Sequence, residues 1–186
     1  MAGEKHKSKK KGWEKRVTLV EGRLSSDGKK ALETLRKQAA IYFDLNAEVS
    51  NFASAGGTAY ASYIESTLMA LNERMVTQME EMGKKALPKA SKEDVAGTDK
   101  ELNRAYSNAL ARCRKDEKSW GERLAFGRSC NKVKEMQRAW IPYRDAWIQL
   151  YQATNVEKSA SQEIERTALR GLSKDQAVFL SSLEYE

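Results

Sequence analysis

Residues 134–151 read KEMQRAWIPYRDAWIQLY, and this stretch decides the fold. Met136, Trp140, Tyr143, Trp147, Leu150 and Tyr151 recur at intervals of one, three and four, which places the large apolar groups on one side of a helix. A stripe this heavy belongs in a core. Pro142 lies inside it, lacks a backbone donor and presses on the carbonyl of Arg138, so the sequence predicts a bend there.

Outward from this stretch the same period returns. Ser25, Ser26 and Asp27 offer capping oxygens before Ala31, Leu32, Leu35, Ala39, Tyr42, Phe43 and Ala47, which predicts a helix to about Ala53. Ser54, Ala55, Gly56 and Gly57 break it. A second apolar face follows through Tyr60, Ile64, Leu68, Leu71, Met75 and Met79, ending before Gly83, with the methionines as core fillers. Residues 84–98, with Pro88, Gly97 and many charges, read as a linker or a loosely packed connection between two halves. Helix should resume at Asp99, with Leu102, Tyr106, Ala109, Leu110 and Cys113 inside and Lys100, Glu101 and Arg104 outside. Ser119 is a candidate cap for the next helix. The last helix is expected after Ser159, burying Ile164, Ala168, Leu169, Leu172, Val178, Phe179 and Leu183, with a break at Gly171.

Only two prolines and eleven glycines punctuate 186 residues, and good helix formers fill the space between them. The expected fold is therefore all-α, with long bent amphipathic helices in two hairpins forming a bundle and no sheet. Its divisions are a basic flexible tail over 1–16, a first hairpin over 17–90 and a second helical domain over 91–186. Advancing the numbering by 100 carries Ala39 to Ala139, Ile41 to Ile141, Phe43 to Tyr143, Ile64 to Ile164, Glu65 to Glu165 and Thr67 to Thr167. Either the two hairpins are a degenerate repeat, or two amphipathic hairpins coincide.

The net charge is +7, and residues 1–16 account for most of it, with seven Lys or Arg against Glu4 and Glu14. Such a run reads first as a solvated tail. The alternatives are a binder of anionic polymers, nucleic acid or cell-wall glycopolymer, helped by Lys84, Lys85, Lys89 and by Arg112, Arg114, Lys115, or a helical scaffold subunit of a larger assembly. No stretch reaches the roughly 20 apolar residues of a membrane span, and the basic N-terminal run lacks the apolar segment of a secretory signal. The expected location is cytoplasmic, or periplasmic or secreted if a signal peptide has been removed.

Catalytic groups are scarce. The one histidine, His6, sits in the basic run, which argues against His-based triads and zincin sites. The GxSxG, GxxxxGK[ST] and GxGxxG patterns are missing, and Gly56-Gly57 joins helices without a following Lys. The carboxylate pairs Glu80-Glu81 and Asp116-Glu117 are adjacent on helices and so point in different directions. The expectation is a non-enzyme without catalytic residues, cofactor or metal. Cys113 and Cys130 have no second pair and no neighbouring His. They form either two buried thiols or a disulfide, which would contribute about 3 kcal/mol by loop entropy.

Two motifs, DKELNRAY at 99–106 and QRAWIPYRDA at 137–146, together resemble the LprI-like lysozyme-inhibitor family in content, order and separation. The resemblance covers about residues 98–185, with about 25–83 as a candidate second copy. It implies a secreted or periplasmic helical protein that binds a protein partner, a muramidase. Its motif positions here are Leu102, Asn103, Tyr106, Gln137, Trp140, Tyr143, Arg144 and Asp145. Trp140 and Tyr143 are expected to pack inward, and Arg144 and Asp145 to pair with polar groups on the preceding helix or with Asn103. Two departures stand out: the cysteines lie between the motifs instead of flanking them, and the chain is basic where animal lysozymes are also basic. An inhibitor would then present acidic groups, and Asp99, Glu101, Glu163 and Glu165, near Asp94, are the candidate partner contacts.

Overall fold

The computed structural model describes residues 2–51, 57–82, 89–120, 130–154 and 161–183, with side chains described from Gly12 onward in the first helix and up to Lys115 in the fourth. Six helices follow one another: α1 (Ala2–Glu21), α2 (Ser26–Ser50), α3 (Tyr60–Glu81), α4 (Lys92–Trp120), α5 (Cys130–Thr154) and α6 (Ser161–Ser182). Among the described residues there is no strand. The fold is an all-α bundle of paired helices.

Local signals explain most boundaries. Ser25 accepts from the Gly28 backbone N–H at 3.2 Å and starts α2. At α4, Ser91 and Asp94 cap each other's backbone N–H groups at 2.9 and 3.0 Å, a reciprocal box that starts the helix at Lys92. The expected linker therefore ends earlier than predicted, and Gly97 sits inside a helix. The expected break at Gly171 is also absent, because α6 runs through it. This glycine meets no neighbouring group, so its cost of about 1 kcal/mol falls on an exposed turn that Ala168 and Leu172 hold down on either side. α5 continues through Pro142. Ser119 and the segments 52–56, 83–88 and 155–160 lie outside the described side chains or residues.

The pairing is long-range. The most extensive packing is α2 on α5, followed by α4 on α6. Glu48 pairs with Lys132 at 3.0 Å and Phe43 meets Tyr143 at 5.5 Å between ring centroids, so α2 and α5 run antiparallel. Contacts between Glu163 and Lys89, Ser173 and Asp99, and Arg112 and the Leu180 carbonyl advance together, so α4 and α6 run parallel. One hydrophobic cluster extends from Val17 to Leu183 through all six helices.

The basic segment 1–16, expected as a tail, lies in helix α1 apart from Met1. Its last turns are packed: Val17 and Val20 are buried, Trp13 donates to Glu73 at 2.6 Å, and Arg16 donates to both oxygens of Glu80 at 2.8 Å. Val178, expected inside, is 62% exposed. The buried face of α6 runs Leu172, Gln176, Leu180, Leu183, and Val178 lies well off that row.

Candidate functional site

Of the motif residues of α5, Trp140 and Tyr143 line the junction of α2, α3, α5 and α6. Trp140, Tyr143 and Trp147 are buried because the three-and-four spacing turns them toward α2 and α6. Tyr143 stacks on Tyr42 at 4.9 Å between centroids with 25° between planes, and meets Phe43 and Trp147 edge-on. Such arrangements add about 0.5–1.5 kcal/mol per pair beyond area burial. A cavity of 80 Å³ remains there, reached by Arg74 and Asp175, which form a 2.6 Å ion pair across its α3–α6 edge.

A polar chain threads this aromatic junction. Ser50 donates to Asn46 at 3.3 Å, Asn46 to the Tyr42 hydroxyl at 3.0 Å, Tyr42 to Gln176 at 2.7 Å, and Gln176 to the motif residue Gln137 at 2.9 Å. Each buried donor thus finds an acceptor, and α2, α6 and α5 are fixed in one register. Burial pushes the Tyr143 hydroxyl up to about 12 and raises Tyr42 further, so both remain neutral hydrogen-bonding groups near neutral pH. Neither is suited to proton transfer.

Arg144 donates twice to one oxygen of its neighbour Asp145, at 2.8 and 2.7 Å, while its guanidinium lies 5.2 Å from the Trp140 ring centroid. The pairing is within α5, and Asn103 stays exposed on α4. On α4, Leu102 is buried and Tyr106 half-buried. Cys113 and Cys130 are joined by a disulfide with Cα atoms 5.7 Å apart, tying the end of α4 to the start of α5.

The four acidic candidates are dispersed. Asp99 is level with Ser173 on α6, which donates to it at 3.5 Å, whereas Glu163 sits ten residues earlier on α6 and pairs with Lys89 at 3.2 Å. Ten helical residues span about 15 Å. Glu101 lies two residues from Asp99, roughly opposite on the helix, and Glu165 is exposed. Asp94 is occupied in capping α4, and its hydrogen bond from the Ser91 backbone holds it below the usual carboxylate range. Among the described residues, no cluster of three or more His, Cys, Asp or Glu side chains has metal-binding geometry.

Sequence reasoning missed Gln176, Asn46, Arg16 and Glu73. The available signal was polarity on an otherwise apolar face: Asn46 adjoins Ala47, and Gln176 is four residues from both Leu172 and Leu180.

A family model described as lysozyme inhibitor LprI matches residues 77–179, more than half of the chain. The chain belongs to the LprI lysozyme-inhibitor family. Comparison with curated proteins and with solved structures returned no match. The LprI span begins in the last turns of α3 and ends near the end of α6, so it contains α4, α5, the disulfide and the Gln137–Gln176 bond. LprI is an inhibitor family, not a catalytic one, and its members are typically extracytoplasmic. Among the described residues, no helix is long and apolar enough to cross a membrane.

Proposed function

We propose that this LprI protein is a non-catalytic cell-envelope binder that blocks a lysozyme-like muramidase. The observation that carries the reading is the family match over 77–179. The motif geometry supports a division of labour. Gln137, Trp140, Tyr143, Arg144 and Asp145 are engaged with their own chain, so they act as the frame, and recognition falls to exposed positions around it. Against a basic muramidase the useful contacts are Glu101 and Glu165, with Asp99 at the α4–α6 edge. Glu163 is partly neutralised by Lys89 and contributes less.

The test is a lysis assay with purified, oxidised protein against muramidases of several classes and both charge signs. Loss of activity that saturates near one inhibitor per enzyme is expected, with Glu101→Lys and Glu165→Lys weakening it for basic enzymes. If every muramidase keeps full activity under a large excess of the protein, the inhibitor reading fails.

A second reading has support in α1, where residues 5–11 hold five lysines on a helix whose last turns are docked on α3. Binding of an anionic polymer there would weaken steeply with salt and fall on neutralising those lysines, while salt-independent binding would remove it.

A further inference from the structure

The 80 Å³ cavity between α2, α3, α5 and α6 has a mouth and a floor of different chemistry. Arg74 and Asp175 stand at the mouth with side chains 63% and 52% exposed, and their ion pair uses one carboxylate oxygen of Asp175. No described residue engages the other oxygen. The floor is apolar, made of buried Phe43, Trp140 and Leu172. Tyr143 forms one wall and is 9% exposed, yet its hydroxyl proton has no acceptor among the described residues. Its edge-on neighbour Trp147 brings an indole N–H, which can only donate. Buried polar groups are seldom left without a partner, and this one borders open space.

The lining defines what fits. An acceptor has to reach the Tyr143 hydroxyl, an N–H suits the spare oxygen of Asp175, and an apolar end suits Phe43, Trp140 and Leu172. An acetamido group supplies all three, with its methyl on the floor, its carbonyl toward Tyr143 and its N–H toward the mouth. A carboxylate of the same size supplies acceptors only, and would carry its charge past Asp175 onto apolar walls. The primary amide of an Asn or Gln side chain enters with its polar end first and has no methyl. One water takes roughly 30 Å³ of liquid, so the cavity is large enough for a group of several heavy atoms. We propose that this pocket receives the N-acetyl group of an amino sugar. The sugar ring stays at the mouth, where Arg74 and Gln78 meet its hydroxyls and the half-buried Phe179 ring meets its C–H groups. Phe43 and Arg74 precede residue 77, so the pocket needs the helices ahead of the LprI span as well as the span itself. Such a ligand is a glycan and not a muramidase, and the site stands whether or not the chain inhibits one.

The probe is N-acetylglucosamine, titrated into the full oxidised chain and followed by proton–nitrogen NMR with no muramidase present. The Trp140 indole N–H should move and saturate while that of Trp13 stays in place. Acetamide should move the same signal at higher concentration, and glucosamine and acetate should not. N-acetyl-lysine presents the same group without a sugar ring and should bind several-fold more weakly. Tyr143→Phe removes only the hydroxyl, so it should hold or raise the melting temperature and weaken binding by about tenfold. Asp175→Ala, a surface change, should weaken binding too, and it keeps the test open if Tyr143→Phe disturbs the fold. An unmoved Trp140 signal at high millimolar sugar, equal shifts with glucosamine or acetate, N-acetyl-lysine binding as tightly as the sugar, or well-folded Tyr143→Phe and Asp175→Ala proteins that bind like the parent would each overturn the proposal.

Discussion

The halves α1–α3 and α4–α6 share a helix order, and in both the first and third helices lie side by side in the same direction, yet they are held together by different means. In the second half α6 is buried from Thr167 to Leu180, α4 packs along it, and a disulfide links α4 to α5. In the first half, the buried residues of α3 are Met75, Val76 and Met79, all near its end. α1 holds on through Val17, Val20 and a few polar contacts, and a 360 Å³ cleft remains. The same arrangement can thus be completed by apolar volume or left partly to charge, and local stability should follow that difference. Phe43 faces Tyr143 where the central helices of the two halves meet, and the second half is filled by apolar packing where the first is not.

The sharpest way to break the comparison is to attack the seam that both halves share. Trp147 is fully buried in α5 beside Tyr143 and Tyr151. Trp147→Ala should cost about 3–5 kcal/mol in urea denaturation and weaken both halves together. Trp147→Phe, which keeps most of the buried ring, should cost distinctly less. Equal costs for the two variants would mean that the ring volume does not matter at this position.

Next is the disulfide, which belongs to one half only. Replacing Cys113 and Cys130 with alanine opens a 17-residue separation and should lower stability by about 3 kcal/mol on the loop-entropy account. Hydrogen exchange should report the loosening chiefly in α4 and α5. An unchanged denaturation midpoint would show that packing of α4 on α6 already restricts the unfolded chain, or that the bond is strained enough to cancel its benefit.

How much of this was legible in the sequence follows from the reach of each interaction. Leu32, Leu35, Ala39, Tyr42, Phe43 and Ala47 are all buried, as are Trp140, Tyr143, Trp147, Leu150 and Tyr151, because a helix writes its inner face into spacings of three and four. Which face meets which was not written locally. Tyr42 and Gln176 are 134 residues apart and Arg16 and Glu80 are 64 apart, so neither partner predicts the other from its neighbourhood. Gly97 suggests a linker over 84–98, but the Ser91–Asp94 box starts α4 at Lys92, and tertiary packing carries α6 through Gly171. Trp140 and Tyr143 are buried, as their spacing implies. The pairing of Arg144 with its immediate neighbour Asp145 was missed, since adjacent helical side chains usually diverge.

High pH should separate the seam from the rest. A buried hydroxyl whose folded value is raised contributes stability that is complete below its ordinary value and lost as pH rises through the folded one. For Tyr143 the window runs from 10.0 to about 12, and Tyr42 extends it upward. Alkaline unfolding followed by circular dichroism should therefore begin above pH 10, and Tyr143→Phe should move its midpoint upward. An alkaline midpoint that ignores this substitution would place the sensitivity in lysine deprotonation instead.

The smallest effect probes the weaker half alone. The hydrogen bond from Arg16, followed by that from Trp13, holds Glu73 below its ordinary 4.5, and the bonds to Glu80 and Glu73 raise Arg16. A depressed carboxylate contributes stability that is present above 4.5 and lost as pH falls through the folded value. Acid should accordingly release α1 before the core responds. Since Glu73 is half-exposed, the whole contribution is modest, and Arg16→Ala should lower global stability by only about 1 kcal/mol. The local signal is clearer than the global one. The Trp13 indole N–H resonance, bonded to Glu73 in the docked helix, should shift toward that of a free indole as pH drops below 4.5, while the Trp140 and Trp147 resonances stay in place. In Arg16→Ala, Trp13 should already be closer to the free position at neutral pH. If all three indoles move together, α1 is as firmly built in as α4, and the difference between the halves lies only in the cleft.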